Sequence, residues 1–158
     1  MVIEICSQKR AVEMTGTARE KTAVISITSK ESPDVVFSGC TNIEGILHLK
    51  FNDITEEYDE EGIPYGCPVP ESEDLAGLKE FVDHLACSYL VIHCWEGTSR
   101  SAAVAAAVYE YRLCRDTLRT HQRFAPNRLV YELACREMGI RRGSLRYSVQ
   151  GETIKRKI

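Results

Sequence analysis

Between Tyr89 and Val108 the chain passes from a short apolar run rich in β-branched residues, Tyr89-Leu-Val-Ile-His93, into a small polar loop, Cys94-Trp95-Glu96-Gly97-Thr98-Ser99. The loop leads directly into an alanine-rich segment that begins at Arg100 and reads as a helix. A strand feeding a helix through so short a loop predicts an α/β fold. Its helices flank a central, mainly parallel sheet, and the loop lies at the C-terminal edge of the strands.

That geometry has chemical consequences. A helix opening at Arg100 directs its free N–H groups and the positive end of its dipole back into the loop, and Gly97 permits backbone angles closed to other residues. The amides of Trp95, Glu96, Gly97, Thr98 and Ser99 then form an oxyanion cradle, to which Arg100 adds a planar fork matched to two phosphate oxygens. Cys94 sits at the base of this cradle. Such surroundings lower a thiol pKa from about 8.5 into the range of roughly 3.5–7.5, which makes the sulfur a nucleophile at neutral pH. Ser101 is placed to donate its hydroxyl to that sulfur and ease its departure.

His93-Cys94, five residues, then Arg100-Ser101, with Gly97 third of the five, resembles the signature of the cysteine-dependent protein tyrosine phosphatases, and most of all their dual-specificity branch. Two further segments are similar to small bacterial members: Phe51-Asn-Asp53-Ile54 upstream and Pro126-Asn127-Arg-Leu-Val130-Tyr131 downstream. The likeness spans roughly residues 22 to 140. It departs from the usual pattern at Glu96, where many members carry a small residue, and in the spacing from Asp53 to Cys94, which is longer than in compact members. Phosphoinositide-directed relatives tend to carry lysines in this loop, whereas Glu96 would repel a polyanion.

Asp53 follows a strand whose C-terminal end would lie on the cradle side of a parallel sheet, so it is the candidate general acid. Glu56, Glu57 and Asp59, in the acidic loop that follows, are its rivals. His93 reads as a residue that positions the Cys94 backbone rather than as a proton acceptor. His48, His84 and His121 are scattered, and no metal site is expected. Relatives that protect the nucleophile through a disulfide make Cys40, Cys67 and Cys114 candidates for that role, with buried packing as the simpler reading.

The 158 residues predict one domain over residues 1–140 with a basic C-terminal tail over 141–158. A net charge of -3 argues against a general nucleic-acid binder. Seven cysteines without a C-x-x-C spacing fit neither a disulfide framework nor a zinc site and point to a reducing compartment. With no signal-like start and no membrane-length apolar run, a cytoplasmic protein is expected.

Strands are predicted over residues 2–6, 22–27, 46–51 and 89–93. Helices are predicted over 8–14, from a Ser72 cap through Leu85, from Arg100 to about Leu113, and from Pro126 to a stop at Gly139. A short helix is open for 114–124. The resemblance implies hydrolysis of phosphate monoesters through a phosphocysteine intermediate, with no cofactor. Its expected partners are a phosphorylated protein or peptide, phosphotyrosine foremost, and phosphate or another oxyanion in the cradle; neither nucleic acid nor a membrane is expected. Two alternatives stand beside it: a small-molecule or RNA 5′-phosphatase of the same chemistry, and a non-catalytic phosphate-recognition module.

Overall fold

The β-branched and aliphatic runs form the strands of one sheet in the computed structural model, which describes residues 1–113 and 124–140. They are β1 (Val2–Ser7), β2 (Thr22–Thr28), β3 (Ile43–Lys50) and β4 (Tyr89–Cys94). The sheet has the order β1-β4-β2-β3, and every neighbouring pair is parallel. All four C-terminal ends therefore reach the same edge. Ser7, Ser29, the segment from Phe51 to Asp53, and Cys94 come together there although they are far apart in sequence.

Helices cover both faces, which is why every residue of β2 is buried. On one face α1 (Gln8–Thr17), capped by the Ser7 side chain, lays Ala11 against Val24, Val91 and Cys6. The opposite face carries α2 (Leu78–Asp83), α3 (Arg100–Leu113) and α4 (Arg128–Glu137). There Ile25, Ile27, Leu90 and Ile92 meet the buried alanines 102, 103, 105, 106 and 107 of α3 and the Val130–Leu133 side of α4. A helix face built of alanine lets α3 approach the sheet closely, and this fixes where its N-terminus meets β4.

Three expectations are corrected. The helix expected to run from a Ser72 cap is broken. A 3-10 turn over Ser72–Leu75 is capped by Glu71, whose side chain and that of Asp74 bond each other's backbone N–H; Gly77 then takes φ +81° before α2 starts. The apolar spacing of Leu75, Leu78 and Val82 is satisfied all the same, because all three are buried. β3 begins at Ile43 rather than at 46 and ends at Lys50, with a register irregularity against Thr22 and Ala23 absorbing the uneven pattern. The helix expected from Pro126 starts at Arg128 on an Asn127 cap. Gly139, at φ +70°, ends it as expected. The segment 114–123 and the tail 141–158 lie outside the described residues. Among the described residues no helix is long and apolar enough to cross a membrane.

Candidate active site

Cys94, the last residue of β4, is 2 % exposed, and its sulfur sits within a set of donors. The Gly97 N–H donates to Sγ at 3.3 Å, and the Ser101 hydroxyl lies 3.2 Å away. Burial pushes the thiol pKa up. The Ser101 hydroxyl and backbone, the Gly97 N–H and the Arg100 charge together outweigh it, so the net shift is downward from the ordinary thiol value. Glycine is required at 97 for two reasons. Its φ is +79°, and a Cβ there would stand 2.2 Å from the Cys6 carbonyl carbon and 2.5 Å from the Ser7 nitrogen. The cradle thus rests directly on the end of β1, an arrangement also held by the Gln8 N–H donating to the Trp95 carbonyl at 3.2 Å.

Arg100, the first residue of α3, is 6 % exposed. Its Nη1 donates to the Phe51 carbonyl at 2.9 Å and to Ser29 Oγ at 3.3 Å, which anchors the guanidinium to the ends of β3 and β2. Its buried Nε–H has no hydrogen-bond acceptor among the described residues, the nearest carboxylate oxygen being Asp53 Oδ2 at 3.7 Å. A planar fork is thereby held in one orientation with a donor to spare.

Of the four carboxylates considered as the acid, Asp53 is the one recorded beside the loop. Its Oδ1 accepts from Ser99 Oγ at 2.7 Å and from Asn127 Nδ2 at 3.0 Å, while the side chain stays 36 % exposed. Asp59 instead closes a turn by accepting from the Glu61 and Ile63 backbone, and Glu56 and Glu57 are exposed. Asn127 acts twice: its Oδ1 caps α4 by accepting from Val130 N, and its Nδ2 holds both Asp53 and the Ile54 carbonyl. The sequence marked Asn127 as part of a family-like segment and gave no hint of the contact with Asp53. Ser29 and the Phe51 carbonyl were missed altogether.

His93 lies on the opposite side of the sheet from the Cys94 sulfur, next to Ser26 on β2 and Cys6 on β1, with Phe37 edge-on at 5.8 Å. Neither ring nitrogen reaches a hydrogen-bond partner of full geometry among the described residues. Burial lowers its pKa to about 4, against a smaller upward pull from the Cys94 backbone, and His48 lowers it further. This is a neutral histidine at neutral pH. Between the ordinary value of 6.5 and about 4 the unfolded chain binds a proton that the native chain does not. Stability is therefore full above 6.5 and falls as the pH drops towards 4, by up to roughly 3 kcal/mol. In urea unfolding at pH 7.5 and 5, His93→Leu is expected to lose less stability between the two than wild type; equal losses would refute this.

The side chains of Trp95 and Glu96 point outward, Trp95 with 68 % of its surface exposed. Thr98 is half-buried, and its carbonyl accepts from Ala125 N at 3.0 Å. Cys40, Cys67, Cys87 and Cys94 are free thiols, Cys40 lying against Thr15 and Ser38. Cys114 and His121 fall outside the described residues, among which no group of three His, Cys, Asp or Glu is placed to hold a metal.

No protein-family model matches the chain, and no curated protein matches it by sequence. Its backbone does resemble solved structures. Tk-PTP in its active form superposes with a TM-score of 0.54 at 16 % identity, over 86 % of this chain and 88 % of that one. Human DUSP28 gives 0.53 at 16 %, over 87 % and 91 %. PTPMT1, solved in complex with PI(5)P, gives 0.51 at 14 %, over 83 % and 85 %. The cradle residues, the parallel sheet and these likenesses converge, and the chain has the fold of the cysteine-dependent protein tyrosine and dual-specificity phosphatases.

Proposed function

We propose that the protein hydrolyses phosphate monoesters through a phosphocysteine intermediate on Cys94, with phosphotyrosine in proteins as the foremost substrate. The observation that carries this reading is a buried thiol of lowered pKa, bonded by Gly97 and Ser101, close to a guanidinium whose Nε–H lacks an acceptor among the described residues. A phosphate oxygen supplies that acceptor. In the first step the Cys94 thiolate forms a bond to phosphorus as the bond to the leaving oxygen breaks, and Asp53 gives that oxygen its proton. In the second, water attacks the phosphocysteine, Asp53 takes the proton back, and Cys94 leaves as a thiolate eased by the Ser101 hydroxyl. Asn127 and Ser99 hold Asp53 in place for both steps.

PI(5)P in the PTPMT1 structure raises the question of polyanionic substrates. Here Glu96 stands exposed on the loop, and Glu56, Glu57, Glu60 and Glu61 are exposed just beyond Asp53. Carboxylates placed so repel a multiply phosphorylated headgroup or an RNA 5′ end, which favours a phosphoprotein.

Hydrolysis of para-nitrophenyl phosphate in the presence of EDTA tests the chemistry. The rate should fall towards low pH, where the Cys94 thiol takes up its proton. Asp53→Asn is expected to lower kcat by roughly 10²-fold and to leave phosphate affinity nearly unchanged. An unchanged rate would hand the role to Glu56, Glu57 or Asp59. Absence of wild-type turnover with phosphate still bound would replace the enzyme by a recognition module.

A further inference from the structure

A groove of about 470 Å³ runs beside the cradle between the first turns of α1 and the outward side chain of Trp95, lined by Gln8, Lys9, Val12, Glu13 and Trp95. We infer that this groove is a substrate subsite, seating an aliphatic or aromatic side chain of the phosphoprotein close in sequence to the phosphorylated residue. The inference rests on the phosphatase reading above and deepens it.

Three features carry it. The first is continuity: Trp95 directly follows Cys94, and its carbonyl is tied to the Gln8 N–H. The groove therefore opens directly beside the residue that follows the candidate nucleophile, within reach of a peptide whose phosphate lies in the cradle. The second is the composition of the walls. The indole, 68 % exposed, faces half-buried Val12, and the stem of Lys9 extends the apolar surface. Indole rings so placed are the residues that most often anchor a partner side chain. The third is charge. Lys9 has no ion-pair partner among the described residues, and Glu13 is paired only loosely, with Arg10 at 4.0 Å. The rim thus offers one cation and one anion at one helical turn's separation, a balance that suits a polypeptide, with its paired N–H and C=O groups, better than a polyanion. Glu96, exposed on the same loop, disfavours the latter at this mouth.

The test compares phosphotyrosine peptides that carry Leu, Phe, Ser or Gly at each of the positions flanking the phosphotyrosine, with para-nitrophenyl phosphate as a substrate too small to reach the groove. Wild type is expected to prefer Leu or Phe over Ser and Gly by roughly tenfold in kcat/KM at one flanking position. Val12→Asp reduces that preference to within about twofold and leaves para-nitrophenyl phosphate turnover unchanged, which also shows that the variant is folded. Trp95→Ala, which keeps the backbone amide of the loop, reduces it likewise, and the two changes combine less than additively because they line one groove. Peptides hydrolysed without any flanking preference, or a preference that survives Val12→Asp, overturn the inference while the phosphatase reading stands. Failure of wild type to hydrolyse para-nitrophenyl phosphate removes both. Sedimentation supplies a further check: self-association of wild type that Val12→Asp abolishes would assign the groove to a second copy of the chain and overturn the inference.

Discussion

Cys94→Ser is expected to abolish turnover of para-nitrophenyl phosphate, lowering kcat by about 10⁴-fold or more, while the folded chain still binds phosphate or vanadate. Serine is nearly isosteric, and its oxygen can still accept from the Gly97 N–H at the position where Sγ does so at 3.3 Å. What disappears is ionisation, since the donors that bring a thiol towards neutral pH cannot bring an alcohol there. The measurement is steady-state kinetics alongside calorimetric titration with phosphate. Retained turnover would remove the phosphocysteine mechanism. Lost binding would mean that the substitution had disturbed the cradle rather than the nucleophile.

The next largest effect is expected at Arg100. Its Nη1 is committed to the Phe51 carbonyl and Ser29, which leaves Nε available to an oxyanion. Lysine keeps the charge but is a single point donor, and it cannot hold the Phe51 carbonyl and grip two phosphate oxygens at once. Arg100→Lys should therefore lower kcat/KM by roughly 10³-fold and weaken phosphate binding. It should also destabilise the fold by about 1–3 kcal/mol, because a buried carbonyl loses its donor. Kinetics and urea unfolding on one preparation check both parts. Loss of activity without loss of stability would show that the Phe51 contact is dispensable and that the guanidinium serves the anion alone.

Cys94, Gly97, Arg100 and Ser101 were legible because the cradle is local. A strand, a loop and a helix N-terminus within a dozen residues determine their own geometry, and the chemistry follows from which side chains stand at the turn. Asp53 was legible for a different reason. In a parallel sheet the residue after any strand lies on the same edge as the residue after every other strand, so its nearness to the cradle could be argued without knowing strand order. The structure does place Asp53 beside Arg100 and Ser99.

Asn127 was out of reach, because its bond to Asp53 joins positions 74 apart and depends on where α4 docks. Ser29, 71 positions from Arg100, was missed for the same reason. The break at Gly77 was missed because the buried spacing of Leu75, Leu78 and Val82 suits a continuous helix as well as a turn followed by a helix. Periodicity reports which side chains are buried and says little about the backbone between them.

By itself, then, the sequence determined the α/β class, the strand, loop and helix unit that carries the candidate nucleophile, and the chemistry such a unit favours, since each of these depends on interactions within a few residues. Tertiary structure alone decided that Gly97 must clear the backbone of Cys6, that Arg100 is clamped by Phe51 and Ser29, that Asn127 holds Asp53, and that Trp95 faces Val12 across a groove. Each of those contacts joins distant parts of the chain. Their geometry comes from strand order and helix docking, which the packing of the whole core selects and no local pattern encodes.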